Sequence, residues 1–457
     1  MFMKLLVKRL TLAVLIVLPG IAQEPFGPAG VGTWKTLSLE NGLISLEIVP
    51  DIGGRITRFY LGGHQYMLVN SELESMTPPP SRVGPDGSWL NYGGDKLWVA
   101  PQGNKGPEFW PGPPDPVLDG GPYEARVVEE WDGKPSAVEL RSGTTASSGV
   151  QLSRRVRIFE GTTRVSFEAG MLNVDTKPRR WGIWAHTQLN GRDRSGTGHN
   201  PNLFAYCPLN PRSLHPKGYW VMYGPPDNPS FKPEPENGMM VVRYLRQVGK
   251  IGVDSDAGWI AVVDGTDGFV FVQRFTFLPG RPYPDNATVE FWADGYGQAS
   301  PDAKPAPSPK EPGYGLESEI IGPFESLKPG QSATFRYDWY AANVGGNFRV
   351  WDCDDWAVTC GPMSAVVENG RLKLGGRFGL FYVGRVELML KDKEGRVVSK
   401  GSRSVHVTPL MPLVLENTDL GAGVKADPLA AAAVLVLSDE KGNVLGEVGH
   451  AMITGRQ

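Results

Sequence analysis

The chain has 457 residues, 40% of them apolar and 21% charged, which is the composition of a globular protein with one large or two to three smaller domains. Its formal net charge of −3 argues against a nucleic-acid-binding protein, because no basic excess is present to hold phosphates. The 58 glycines and 40 prolines are too few for a disordered Pro/Gly chain, but they indicate many turns and therefore many strands.

Residues 1–22 have the pattern of a secretory signal peptide. Lys4, Lys8 and Arg9 precede an apolar run over residues 10–18, and small residues follow at 20–22. An N-terminal membrane anchor is the alternative, although the run is shorter than the roughly 20 residues that span a bilayer. No later run reaches that length. We therefore predict an exported protein, periplasmic or secreted, with no membrane span in the mature chain.

Alternating apolar and polar residues predict strands from residue 36 onward. Residues 36–49 contain two such runs joined at Asn41-Gly42, which is a strong hairpin signal. Further strands are predicted at residues 53–60, 123–131, 136–141, 150–159, 163–169, 181–189, 259–263, 268–275, 288–293, 316–321 and 333–340. No helix of three turns or more is indicated. We expect one large antiparallel β domain over residues 23–345.

Two long segments, 101–122 and 190–238, separate predicted strands and carry aromatic residues such as Trp110 and Tyr223. Loops of this length are usually functional, so we predict that they form walls or lids of a pocket; surface decoration is the alternative. A third segment, 297–312, lacks aromatic residues and is predicted to be a surface loop.

Short strands with hairpin-type turns continue after residue 346. Their size and spacing predict that residues 346–457 form a small immunoglobulin-like β-sandwich. Within this region Cys353 and Cys360 could close a small disulfide loop in an exported chain, which would leave Cys207 unpaired. Three buried thiols are the alternative.

The strand at residues 181–189 has two unlike faces, because side chains alternate with period two. One face is apolar, whereas the other carries Trp184, His186 and Gln188. An aromatic ring beside two hydrogen-bonding groups suits a polar, ring-shaped ligand. A buried histidine satisfied by a neighbour is the alternative.

Paired carboxylates occur on two later strands. Glu317 and Glu319 share a face at roughly 6.5–7 Å along the strand, a spacing near that of inverting glycosidase carboxylates, and such a pair can do acid/base work. Glu290 lies beside Trp292 on the polar face of the preceding strand. A solvated outer face is the alternative for both.

Residues 91–98 are dense in groups that hydrogen-bond hydroxyls, namely Asn91, Asp95 and Lys96, with Trp98 following. Gly93-Gly94 would let the backbone approach a ligand closely. The segment lacks the pattern of a phosphate-binding loop. The six histidines show no metal-binding spacing, so we predict neither a metal nor a cofactor.

Taken together, these segments resemble the galactose mutarotase-like superfamily, which includes aldose 1-epimerases and hexose-phosphate epimerases. The matching segments lie in the family's order at residues 49–56, 92–97, Asn173 with 185–187, and 316–319 with 327–332. The resemblance implies a large antiparallel β-supersandwich. The whole chain is most similar to a group of exported bacterial proteins of that superfamily.

The resemblance implies that His186 is the general acid and Glu317 the catalytic base on a sugar, and that Lys96 takes the place of a sugar-binding arginine. The predicted carbohydrate-binding residues are Arg55, Asn91, Asp95, Lys96, Trp98, Trp184, Gln188, Glu290, Trp292 and Glu319. The family's second histidine is absent between His64 and His186, and the simplest members lack the long aromatic loops; with Lys96 in place of arginine, these departures favour an altered, larger carbohydrate. The missing histidine also favours a non-catalytic protein. A polysaccharide lyase, a glycoside hydrolase and a non-catalytic glycan-binding or envelope protein remain open, as does the oligomeric state.

Overall fold

The computed structural model describes residues 34–74, 76–297, 313–418, 420 and 428–455. The predicted signal peptide at residues 1–22, and nearly all of the predicted surface loop at 297–312, lie outside the described residues. In the part of the chain that is described, no helix has the length and apolarity that a membrane span requires.

Strands dominate the described residues between 34 and 343, and the helices among those residues are single turns. The strands are β1 (Leu37–Glu40), β2 (Ile44–Val49), β3 (Arg55–Leu61), β4 (His64–Gln65), β5 (Asp95–Ala100), β6 (Glu124–Trp131), β7 (Lys134–Arg141), β8 (Val150–Ile158), β9 (Val165–Asn173), β10 (Arg179–Asn190), β11 (Leu203–Pro208), β12 (Trp220–Tyr223), β13 (Phe231–Glu234), β14 (Met239–Arg243), β15 (Gly249–Val253), β16 (Trp259–Asp264), β17 (Phe269–Phe275), β18 (Val289–Ala293), β19 (Gly315–Ile321), β20 (Glu325–Leu327) and β21 (Ser332–Asn343). The helical turns are α1 (Ser71–Glu74) and 3-10 turns at Pro50–Ile52, Pro235–Asn237 and Pro284–Asn286.

These strands form two large sheets. The first has the order β1-β2-β3-β5-β10-β19-β18-β15-β12, with β4 beside β3 and β20 beside β10. The second has the order β13-β14-β11-β16-β17-β21-β9-β8-β7-β6. Apolar side chains of both sheets meet in one core, where the ring of Phe59 lies 6.0 Å from that of Phe271 and 5.7 Å from that of Trp339. The prediction of an all-β fold with large antiparallel sheets packed as a sandwich is confirmed.

A third sheet is built from strands after residue 351. They are β22 (Asp352–Cys353), β23 (Ala357–Thr359), β24 (Ser364–Glu368), β25 (Arg371–Leu380), β26 (Gly384–Lys391), β27 (Val397–Val407), β28 (Leu413–Thr418), β29 (Ala432–Asp439) and β30 (Val444–Thr454). The order is β22-β23-β25-β24-β30-β29-β26-β27, with β28 beside β25. This sheet encloses its own apolar cluster, which includes Phe378 and Leu435. The predicted domain boundary at residue 345 stays a prediction.

The local predictions succeed in one place and fail in another. The hairpin at Asn41 is confirmed, because β1 and β2 pair there and the Asn41 side-chain oxygen accepts hydrogen bonds from the backbone N–H groups of Leu43 and Ile44. The interpretation of residues 190–238 as one long loop is wrong, since β11, β12 and β13 lie within it. β12 and β13 are short edge strands, and β13 tolerates Pro233 because an edge strand needs fewer N–H donors.

All three cysteines are free thiols. Cys207 and Cys353 are buried, and Cys360 is half-buried beside the same apolar cluster as Cys353. Of the two alternatives left open by the sequence, the structure has the one without a disulfide.

The core between the two large sheets supplies a stability prediction. Phe271 is 1% exposed and packs against Phe59 and Trp339. Phe271→Ala should lower the free energy of unfolding by about 3–5 kcal/mol, because it removes buried surface and leaves a cavity. Val444→Ala, at a side chain that is 70% exposed, should change it by less than about 0.5 kcal/mol. Denaturant titration monitored by tryptophan fluorescence measures both, and equal effects would contradict the packing described here.

Candidate functional site

The central strands of the first sheet align polar side chains that are far apart in sequence. β5, β10 and β19 are neighbours, and His186 of β10 lies directly opposite Lys96 of β5 and Glu319 of β19. Gln188, two residues further along β10, lies opposite Glu317. Since directly paired residues share a face of the sheet, these five side chains lie together on the face that points away from the second sheet.

The next two strands extend this face. On β18, Glu290 lies opposite Glu319 and Trp292 lies opposite Glu317. On β15, Lys250 lies opposite Trp292. The polar faces predicted separately for the strands around residues 184, 290 and 317 are therefore one continuous surface.

Part of this surface forms the base of a cavity of about 270 Å³, whereas the predicted sugar-binding residues Lys96, Glu290 and Glu319 are buried in the same surface and do not line the cavity. The cavity is lined by Leu68, Trp89, Asn91, Trp98, Gln102, Pro113, Trp184, His186, Gln188, Lys250, Trp292, Asp294, Gly315 and Glu317. Segment 101–122 supplies Gln102 and Pro113, as expected for a pocket wall. A larger cleft, of about 670 Å³, lies on the outer face of the second sheet, where its arginines are already paired with carboxylates such as Asp338 and Glu168.

Four side chains form a hydrogen-bonded chain across the base of the cavity. His186 Nε2 lies 3.1 Å from Glu317 Oε2. Gln188 Nε2 donates to Glu317 Oε1 at 2.6 Å, and Lys96 Nζ donates to Gln188 Oε1 at 3.1 Å. The imidazole and the carboxylate thus line the same cavity in direct contact, which leaves no space for a sugar ring between them.

Burial changes the pKa values of three of these four side chains, His186, Glu317 and Lys96. It lowers the pKa of His186 well below its ordinary value, and the charge of Lys96 lowers it further. It raises the pKa of Glu317, against the opposing effect of Lys96. Burial, together with the nearby charge of Arg55, lowers the pKa of Lys96 to about 7. Since burial favours the neutral form of both partners, it moves a proton shared by the pair toward the carboxyl group.

A second cluster adjoins the first. Lys250 Nζ lies 2.6 Å from Glu290 Oε2 and 3.0 Å from Glu319 Oε2, and the indole N–H of Trp184 donates to Glu319 Oε2 at 2.7 Å. Burial would lower the pKa of Lys250, but the two carboxylates outweigh it and raise this pKa. Burial raises the pKa of Glu290 to about 8, against the opposing charge of Lys250. The cluster therefore neutralises its own charge without any ligand.

His186, Glu317 and Glu319 also form a set of potential metal ligands, with one donor atom of each within 4.8 Å of the others. Imidazole and carboxylate donors suit several divalent cations. Here, however, the ammonium group of Lys250 lies against Glu319 and already supplies the positive charge that a cation would bring. The arrangement therefore favours proton transfer over metal binding. The nearest carboxylate oxygens of Glu317 and Glu319 lie within 4.8 Å of each other, which is closer than the roughly 6.5–9.5 Å between the carboxyl groups of inverting glycosidases.

Arg55 does not reach the cavity. It is fully buried, its Nη2 lies 2.6 Å from Asp119 Oδ1, and its other N–H groups donate to the backbone oxygens of Ile52 and Gly93. The Asp119 carboxylate also accepts two hydrogen bonds from indole N–H groups, one from Trp89 Nε1 at 2.6 Å and one from Trp98 Nε1 at 3.2 Å. The ion pair thus holds two aromatic walls of the cavity in place.

Asp95 lies on the opposite face of the first sheet, between the two sheets, where it pairs with Arg154. Its neighbours Gly93 and Gly94 have φ values of +83° and +70°, and a Cβ on either would collide with the backbone oxygen of Leu68 or Ile56. Their close approach is therefore to the protein's own backbone and not to a ligand. Asn91 does line the cavity, as predicted.

Trp89, Asp119 and Lys250 are among the residues of the site that sequence reasoning missed. Lys250 lies in a five-residue strand whose alternation, with Ile251 and Val253 on the opposite face, is a weak signal that could have revealed it. Asp119 lies in a Pro/Gly-rich loop, where no periodicity exists to predict its direction.

The comparisons with known proteins concern the fold. A family model described as a domain of unknown function (DUF4380) matches residues 34–195. No curated protein matches the chain by sequence. Similar solved structures include a galactose mutarotase-like protein from Lactobacillus casei ATCC 334 (10% identity, TM-score 0.39, 67% of this chain and 100% of that one). A second is a galactose mutarotase related enzyme from Lactobacillus acidophilus (10% identity, TM-score 0.39, 67% of this chain and 96% of that one). A third is a galactose mutarotase-like protein from Clostridium acetobutylicum (11% identity, TM-score 0.43, 68% of this chain and 96% of that one).

Identities of 10–11% carry no information on activity.

The ion pair behind the aromatic walls gives a testable prediction. Asp119→Ala should lower the free energy of unfolding by about 3–5 kcal/mol, because it leaves the guanidinium group of Arg55 buried without a counter-charge. Asp227→Ala, at an exposed position, should change it by less than about 0.5 kcal/mol. Chemical denaturation measures both, and a small effect at Asp119 would show that Arg55 has water or another partner.

A second prediction concerns the charge of Lys96. Lys96→Met removes a positive charge that disfavours protonation of His186 and stabilises ionised Glu317. The pKa values of both His186 and Glu317 should therefore rise. NMR titration of the His186 Cε1 and Glu317 Cδ resonances measures the two shifts, with His406, in the third sheet, as the internal reference. Unchanged pKa values would mean that Lys96 is uncharged in the folded protein across the titrated range.

Proposed function

We propose that the protein is an exported, carbohydrate-active enzyme of mutarotase or epimerase type that binds a sugar in the 270 Å³ cavity and transfers protons through His186 and Glu317. The observation that carries the proposal is the 3.1 Å contact between the imidazole and the carboxylate in a cavity with aromatic walls. The pattern of residues 1–22 supports the proposal of export.

The walls suit a sugar because they combine flat apolar surfaces with polar groups. Trp98, Trp184 and Trp292 line the cavity, and rings of this kind offer an apolar face together with an N–H donor. Asn91, Gln188 and other polar lining groups lie between the rings and can bind hydroxyls. Four tryptophans and seven polar or charged residues line the cavity, a combination that offers flat apolar faces for a sugar ring and hydrogen-bonding groups for its hydroxyls.

The contact between His186 and Glu317 requires the sugar to lie over the pair. The ring oxygen and the anomeric hydroxyl are bonded to the same carbon, so adjacent groups can reach both from one side. Burial favours the form of the pair in which Glu317 holds the proton. From the less populated form with the proton on His186, the imidazolium gives that proton to the ring oxygen while ionised Glu317 accepts the hydroxyl proton; the C1–O5 bond breaks and the C1–O1 bond becomes a carbonyl.

Ring closure on the other face reverses both transfers. Glu317 returns its proton to O1, His186 takes the proton of the attacking O5 hydroxyl, and the pair is restored without an external reagent. General acid–base catalysis by positioned groups contributes about 10²–10⁴-fold to rate. A lyase could use the same pair, with the carboxylate or the imidazole removing a carbon-bound proton.

A second candidate is a non-catalytic glycan-binding protein. It is favoured by the burial of His186, which is only 2% exposed and pairs with Glu317 instead of facing an open cleft. In that case the cavity binds a sugar, and the pair only supplies hydrogen bonds.

Activity assays on variants test the proposal. His186→Ala and Glu317→Gln should each reduce anomer interconversion of a reacting aldose by about 10²–10⁴-fold, because each removes one proton-transfer group. Polarimetry and NMR on a panel of aldoses measure the rate, and glycan-cleavage assays detect a lyase or hydrolase. His64→Ala is the matched control, since His64 also pairs with a carboxylate, Asp267, but lies outside the cavity.

Wild-type rates in His186→Ala would contradict the proposed chemistry. Calorimetric titration with the same sugars then separates the two candidates. Binding that His186→Ala weakens, with no conversion by the wild-type protein over days, would support the non-catalytic alternative.

A further inference from the structure

A chain of buried polar side chains crosses the core directly behind the candidate site. Asp95, Thr187 and Ser318 lie opposite one another on β5, β10 and β19, and all three face the second sheet. Arg154 of β8 and Gln273 of β17 reach them from that sheet. All five side chains are at most 2% exposed.

The hydrogen bonds of this chain are continuous from one sheet to the other. Arg154 pairs with Asp95. Thr187 Oγ1 donates to Asp95 Oδ1 at 2.7 Å and accepts from Gln273 Nε2 at 3.0 Å. Ser318 Oγ donates to Gln273 Oε1 at 2.7 Å. Thr187 therefore lies in the middle of this set of hydrogen bonds, because its hydroxyl donates one hydrogen bond and accepts another.

Asp95, Thr187 and Ser318 are each the sequence neighbour of residues on the opposite face of the first sheet, the face that carries the cavity. Asp95 precedes Lys96, Thr187 lies between His186 and Gln188, and Ser318 lies between Glu317 and Glu319. Since side chains alternate along a strand, a slip or rotation of β10 against β19 moves both faces together. Fixing Thr187 and Ser318 to the same Gln273 therefore fixes the spacing of His186 and Glu317.

Stability alone does not explain such a chain, because well-packed apolar residues can replace buried ion pairs without loss and often with gain. We infer that Thr187, Gln273 and Ser318 are positioning residues, which hold β10 and β19 in the register that keeps His186 in contact with Glu317. The expected effect on kcat rests on the proposed function, whereas the expected effect on the contact between His186 and Glu317 does not.

Thr187→Val tests the inference, because valine keeps the shape and β-branching of threonine and removes only the hydroxyl. The variant should lower kcat by about 10- to 100-fold with little change in KM, as expected when reacting groups are displaced by a fraction of an ångström to one ångström. The His186 imidazole ¹⁵N shifts should change as its contact with Glu317 loosens. Thr187→Ser, which retains the hydroxyl, should restore both values.

Thr163→Val is the matched control. The Thr163 hydroxyl is equally buried and also both donates and accepts, to Ala341 O at 2.7 Å and from Ala341 N at 3.0 Å, but it lies away from the cavity. Both valine variants should lower the melting temperature by a similar amount, and only Thr187→Val should move the His186 resonances. Equal effects of the two variants on His186, or no effect of either, would overturn the inference.

Two further measurements keep the outcome decisive. If Thr187→Val fails to fold, Ser318→Ala can be measured instead, because it removes only the hydrogen bond from Ser318 Oγ to Gln273. It should change kcat and the His186 ¹⁵N shifts in the same direction as Thr187→Val, but by less. Should the wild-type protein show no turnover, the ¹⁵N shifts still report the His186–Glu317 contact, so a failure of the proposed function is distinguished from a failure of this inference.

Discussion

The burial of charge on one face of a sheet is the constraint on which the candidate site depends. Lys96 and Glu319 are fully buried and Glu290 is 1% exposed, and an isolated charge in such a place would cost several kcal/mol. Each of these groups has a partner beside it. Lys250 lies against the carboxylates of Glu290 and Glu319, and Lys96 donates a hydrogen bond to Gln188. The same exclusion of water lowers the pKa of His186 and raises that of Glu317, so it favours the form of the pair in which the carboxyl group holds the proton and both groups are neutral.

The fold was predictable wherever a strand has one buried and one polar face. β10 alternates between Trp181, Ile183 and Ala185 on one side and polar groups on the other, so its existence follows from the sequence. β12 and β13 were missed because they are short edge strands in a segment rich in proline and glycine, where pairing to a neighbour determines the conformation. The order of the strands in the sheets depends on contacts between distant segments, which a single sequence does not encode in any local pattern.

The candidate site was predictable to the extent that alternation was applied consistently. His186 and Gln188 share a face because they are two residues apart, and the cavity contains both. Adjacent residues cannot share a face, so Asp95 and Lys96 could not both have reached a ligand, and only Lys96 is on the side of the cavity. The position of Asp119 was beyond such reasoning, because its carboxylate is directed by the path of an irregular loop.

The contact geometry also separates the possible reactions. An inverting hydrolase needs a second carboxylate, set apart from the acid, that activates a water molecule. Glu319 is unsuited to this role, since its Oε2 is held by Lys250 and by the indole of Trp184. His186 Nε2 and Glu317 Oε2 lie 3.1 Å apart, and both residues line the same cavity. Reactions that take one proton and return another at neighbouring atoms, as in ring opening or β-elimination, match this geometry better than the addition of water across a glycosidic bond.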